Sequence, residues 1–113
     1  MNNFFNKKEI DVDNEDDFSS FLLNLKKTYP NNDIFTAIEP IEIKTHTHDD
    51  FETRLFLSGE AEFIINNIKI TCKKGDYIEI YSNTPHSFNY YGGEELKVLR
   101  FFSNSNSWKA NFK

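Results

Sequence analysis

What this chain has little of narrows it quickly. One cysteine, Cys72, among 113 residues excludes a disulfide framework. Only three prolines and four glycines exclude a collagen-like or linker-rich chain. Net charge is −5, and the cations gather no further than Lys7-Lys8, Lys26-Lys27 and Lys73-Lys74. A nucleic-acid surface needs a basic face, so that class is set aside. No apolar run approaches the length of a membrane span. Met1-Asn2-Asn3-Phe4-Phe5-Asn6 lacks the charged-then-apolar order of a secretory signal. The expectation is a single cytoplasmic domain, residues 1–113.

Aromatic residues are plentiful, with twelve Phe, five Tyr and one Trp. From Asn14 to Tyr29, Phe18, Phe21, Leu22 and Leu25 recur at i, i+3, i+4, i+7, a helical stripe. Glu15, Asp16 and Asp17 open it and Lys26-Lys27 close it, as the helix dipole favours, and Pro30 stops it. The spacing predicts one helix at about residues 15–28. Residues 1–13 read either as a loose arm or as an edge strand. Residues 1–32 thus form an N-terminal arm and helix, and 33–113 a barrel.

After Asn32 the rhythm shortens to two. The runs are 34–38, 41–45, 53–57, 61–65, 69–72, 77–80, 87–90 and 97–102. Asn66-Asn67 suits a tight hairpin whose two turn residues take positive φ. Many short strands at even spacing predict an all-β sandwich or barrel.

Histidine is scarce too, and that makes it informative. His46, His48 and His86 are the only three. On an extended chain, residues two apart share a face, so His46 and His48 can address one ion, with Glu52 at the same parity. Three imidazoles and a carboxylate suit Fe, Ni, Co, Mn or Zn as a divalent ion. Asp49 and Asp50 read as loop residues able to orient an imidazole from behind. The chain has just two arginines, Arg54 and Arg100. Arg54 shares parity with Glu52 and Phe56, and Arg100 with Val98 and Phe102. Arginine is chosen where a planar anion is gripped bidentately; a pair of structural salt bridges is the other reading. Phe88 and Trp108 stand open between substrate contact and core packing. Cys72 reads as buried and inert.

The histidine pattern resembles the cupin superfamily. Its first motif, His-x-His, then Glu, then Gly, is matched by His46, His48, Glu52 and Gly59. Its second runs here from Gly75 to Pro85-His86, with Tyr81 where Pro is usual and Asn83 where Gly is usual. Asn tolerates a left-handed backbone, so the turn can survive. The sequence is most similar to the acireductone dioxygenases. They share the stretch His46 to Arg54, the turn Thr84-Pro85-His86-Ser87-Phe88, the strand Arg100-Phe101-Phe102 and the ending Trp108-Lys109-Ala110-Asn111-Phe112. The resemblance covers roughly the last two thirds of the chain.

It implies a cupin double-stranded β-helix, a jelly-roll barrel with one N-terminal α-helix. It implies one octahedral metal, Fe(II) or Ni(II), held by His46, His48, Glu52 and His86, with adjacent positions left for ligand. Arg54 and Arg100 would bind the anionic substrate, a small enediol cleaved with O2 as in methionine salvage. The family's aromatic before the first His is replaced by Glu42-Ile43-Lys44-Thr45, so the substrate tail would be held differently. Two alternatives stay open: a related cupin oxygenase of a specialised biosynthetic pathway, and a non-catalytic small-ligand-binding cupin. A homodimer also stays open.

Overall fold

The computed structural model describes residues 4–49, 51–102 and 111–112. In chain order these form β1 (Phe5–Glu9), α1 (Glu15–Thr28), β2 (Asn31–Ala37), β3 (Ile41–Thr47), β4 (Glu52–Ser58) and β5 (Glu60–Ile65). Then follow β6 (Ile68–Lys73), β7 (Asp76–Ile80), β8 (His86–Tyr90), β9 (Leu96–Phe102) and β10 (Asn111–Phe112). Two five-stranded antiparallel sheets face each other. Sheet A has the order β1-β7-β4-β9-β2, and sheet B the order β10-β3-β8-β5-β6. This is the double-stranded β-helix the sequence predicts.

The helix falls on its expected span. Asn14 caps it, its side chain accepting from the Asp17 amide at 3.1 Å. The edge-strand reading of the N-terminal arm holds, since β1 pairs along β7 from Phe5↔Ile80 to Glu9↔Asp76. Every expected strand is present, but β2 starts at Asn31, three residues before the expected Ile34. The short β10 was not expected; it lies against β3.

Turn chemistry follows the residues. Asn66 and Asn67 take φ of 45° and 69°, and Ile65 pairs with Ile68, a two-residue hairpin. Asn83 adopts φ 59°, doing the work of the usual glycine. At Gly59 (φ 77°) a Cβ would lie 2.8 Å from the Leu96 Cα, so only glycine lets β9 approach.

The core is divided by sheet A. Between the sheets lie Phe56, Phe63, Ile65, Ile78, Ile80, Phe88, Tyr90 and Val98. On the outer face of sheet A, the helix stripe Phe18, Phe21, Leu22 and Leu25 packs onto Leu55, Tyr77 and Phe101. Strand β4 is therefore buried on both faces. Glu52, Arg54 and Phe56 point inward, and Thr53 and Leu55 point to the helix. Cys72 belongs to the inner core, and burial pushes its thiol up to about 12, which makes it inert.

Candidate metal centre

The centre forms where the ends of β3, β4 and β8 converge. A β-bulge aims the first ligand. Ile43 faces Phe88, yet His46 faces His86, three steps along β3 against two along β8. Ile43 lines the barrel interior, so plain alternation would turn His46 outward. The bulge reverses that parity, and His46 is buried while Lys44 and Thr45 are exposed. His48 lies just past β3, and the Asn83 amide donates to its carbonyl at 2.7 Å. The left-handed turn at Asn83 thus ties the second histidine motif to the first. Glu52 opens β4, opposite Ile80.

All four side chains are buried, and one ligand atom from each lies within 4.8 Å of the others. The His46 and His48 Nε2 atoms are 3.1 Å apart. His48 Nε2 is 3.4 Å from Glu52 Oε1, and His86 Nε2 is 3.0 Å from Glu52 Oε2. The Nδ1 atoms of His46 and His86 lie 2.7 and 2.8 Å from the carbonyls of Lys44 and Thr84. An Nδ1–H donating to a carbonyl leaves the lone pair on Nε2, the tautomer a metal needs. In that state His86 Nε2 and Glu52 Oε2 are two acceptors face to face. Neither makes a hydrogen bond, and both are buried. A cation between them resolves that conflict, so the donor set fits a first-row divalent metal.

The electrostatics favour the metal-binding state at His46 and Glu52, whereas His86 must give up a proton to bind. Burial lowers the pKa of His46, which keeps it neutral. Burial would raise that of Glu52, but the Arg54 charge and the two imidazoles hold it well below the carboxylate range. Burial would lower His86, but the Glu52 carboxylate outweighs it and raises the group.

Arg54 is buried beside these groups. Its Nη2 donates to Glu52 Oε1 at 2.6 Å and its Nη1 to the Thr53 carbonyl at 3.0 Å. Arg100 stands directly opposite Arg54 across β4 and β9. It donates to both carboxylate oxygens of Asp33, from Nε at 2.7 Å and from Nη2 at 2.5 Å. Both salt bridges expected as the structural alternative therefore exist, and both arginines also line a cavity of about 70 Å³. His46, His86 and Glu52 complete its polar wall. Its apolar wall is Phe35, Ile43, Phe56, Phe63, Phe88 and Val98. Phe88 serves as both cavity wall and core, packing on Phe63 at 5.1 Å between ring centroids. Trp108 and Asp50 lie outside the described residues, and Asp49 is exposed.

Sequence reasoning missed Asp33, Phe35, Ile43 and Phe63. Asp33 and Phe35 share the inward parity of β2, and starting that strand at Ile34 left Asp33 outside it. Ile43 was hidden by the bulge, which no spacing rule announces.

Comparison with known proteins agrees with this geometry. The profile described as the ARD/ARD' family matches residues 4–110. An acireductone dioxygenase of Methylococcus capsulatus is 35% identical over 74 residues, 62% of this chain and 40% of that one. One from Hydrogenobaculum sp. is 31% identical over 94 residues, 80% of this chain and 51% of that one. The chain spans about half the length of these curated relatives. Among solved structures, an acireductone dioxygenase from Bacillus anthracis with a cadmium ion in its active center superposes with a TM-score of 0.75 at 15% identity. That match covers 96% of this chain and 83% of the other. A cupin protein from Bacteroides fragilis gives 0.55 at 18% identity, covering 73% and 70%. These structural likenesses establish the fold.

Proposed function

The chain belongs to the ARD/ARD' family, and on that premise we propose that it is a metal-dependent dioxygenase cleaving a small acireductone-type enediol with O2. One observation carries the reading: His46, His48, Glu52 and His86 converge within 4.8 Å, and His46, Glu52 and His86 line a cavity that both arginines also line. These four would hold one divalent ion, Fe(II) or Ni(II) by family resemblance. Bound there, it would supply the Lewis acidity that favours an ionised enediol, and the chemistry with O2.

The remaining work falls to the chain's own residues. Arg54 fixes the orientation of Glu52 through Oε1 and stabilises negative charge on the substrate. Arg100 adds a second cation one strand away. Phe56, Phe63 and Phe88 form an apolar floor that excludes water and strengthens those charge interactions. Trp108 is assigned to the substrate side on the motif match alone. The partners are a small anionic enediol and O2, and the location is cytoplasmic. Among the described residues no helix is long and apolar enough to cross a membrane.

A second reading is a related cupin oxygenase acting on another small molecule. The stretch Glu42-Ile43-Lys44-Thr45, without the aromatic that the family resemblance implies before the first His, favours it. Metal analysis of the purified protein, followed by oxygen uptake with acireductone and with shorter enediols, separates the readings. Uptake with acireductone supports the first, and uptake only with shorter enediols supports the second. Ligand binding without uptake would leave a non-catalytic cupin and defeat both.

A further inference from the structure

Asp33, Arg100 and Arg54 stand in one row across β2, β9 and β4, each directly opposite the next. Like charges directly opposite on neighbouring strands destabilise a sheet, so the row needs compensation. Each guanidinium has its own carboxylate, and the two differ in kind. Glu52 is buried within the candidate metal centre. Asp33 lies outside it on an edge strand, with its side chain 45% exposed. It engages the Nε and Nη2 edge of Arg100 with both oxygens. The Phe35 and Phe102 ring centroids lie 5.2 and 5.6 Å from the guanidinium carbon and hold it further. A fork engaged in this way cannot offer the same edge to a second planar anion. Only its Nη1 side remains for a ligand in the cavity.

Charge bookkeeping points the same way. Arg54 and Arg100 contribute two positive charges, and Glu52 and Asp33 two negative ones. The four side chains cancel, and the charge of a bound anion is then matched by the divalent ion alone. From this juxtaposition we infer that Asp33 is a positioning residue that sets the charge selectivity of the pocket. By occupying one edge of Arg100 and cancelling its charge, it disfavours anions carrying a carboxylate or phosphoryl group beyond the chelating oxygens. The inference rests on the reading of the pocket as a metal-binding anion site, and not on the oxygenase chemistry.

The test compares two chelating anions of similar size and different charge, lactate and tartronate, which chelate alike through a hydroxyl and one carboxylate while tartronate carries a second carboxylate. Each is titrated calorimetrically into the nickel-loaded full chain. Asp33→Asn should raise the affinity for tartronate about tenfold and that for lactate about threefold, so the tartronate preference grows. Asp33→Glu, which keeps the charge, should restore the wild-type preference. A lower melting temperature with an unchanged preference would make Asp33 a clip between β2 and β9 and overturn the inference. Should Asp33→Asn not fold, Arg100→Gln reads the same device in reverse. Leaving Asp33 unneutralised must then weaken tartronate more than lactate, and an equal loss of both overturns the inference. The titration consumes no oxygen. A protein that shifts its preference but takes up no O2 with any enediol keeps this role for Asp33 and loses the proposed activity. Uptake with an unshifted preference does the opposite, and a protein that binds no nickel overturns both.

Discussion

The two sheets contribute different chemistry and support it differently. Sheet B supplies imidazoles, His46 on β3 and His86 on β8. Each is steadied by a carbonyl two residues back in its own chain, Lys44 or Thr84. Sheet A supplies the charges Glu52, Arg54, Arg100 and Asp33, each answered from a neighbouring position or strand. The outer face of sheet A is roofed by α1. That of sheet B leaves Ile64 exposed. Orienting a neutral ring asks little of the scaffold. Burying a charge is costly unless its partner is held in place, and here the buried charges sit on the sheet covered from both sides.

Removing a sheet B ligand gives the largest expected effect. His86→Ala should empty the centre while the fold survives, because the helix-covered face is untouched. Full metal occupancy after identical purification would show the ligand set to be wrong. Next come the outer faces. Leu55→Ala beneath the helix should cost about 2–5 kcal/mol, whereas Ile64→Thr on the open face should stay within about 0.5 kcal/mol. Denaturant unfolding measures both, and equal losses would erase the distinction between the sheets.

The arginines divide sheet A itself. Lysine keeps the charge and loses the fork, at about 1–3 kcal/mol of transition-state stabilisation for Arg54 and the lower end of that range for Arg100, whose Nε and Nη2 edge Asp33 already holds. That is a tenfold to hundredfold fall in kcat/KM, on the order set by transition-state theory. Arg54→Lys should also weaken metal binding about tenfold, because Arg54 orients Glu52. Arg100→Lys should leave it unchanged. Normal kinetics with a lowered melting temperature would reduce both to structural salt bridges.

The smallest effect is in the pH dependence of the metal-free protein, where Glu52 and His86 act with opposite sign. Glu52 is depressed from 4.5, so its contribution is complete above that pH and is lost as pH falls toward its folded value. His86 is raised from 6.5, so its contribution is complete below that pH and is lost as pH rises through its folded value. Thermal melts across the range should show the acid slope shallower in Glu52→Gln and the alkaline slope absent in His86→Ala. Metal, which takes up the neutral imidazoles, should remove the alkaline slope in the wild type.

Much of this was legible in the chain because its signals are local. The stripe Phe18, Phe21, Leu22 and Leu25 and the cap at Asn14 define α1 without reference to anything distant. Asn66-Asn67 defines a hairpin in the same way. The histidines, Glu52 and Arg54 were legible through spacing and parity. What stayed hidden depends on register between strands. The bulge before His46 shows only against β8, and Asp33 acquires meaning only when β2 lies beside β9. A two-residue strand such as β10 carries too short a pattern to read at all.

The most direct test of the account is oxygen uptake measured against metal added to stripped protein, with acireductone as substrate. The account predicts no uptake in the stripped protein, a rise with each addition of Fe(II) or Ni(II), and a plateau at one ion per chain. Uptake that persists without metal, or none at one bound ion per chain, would contradict it.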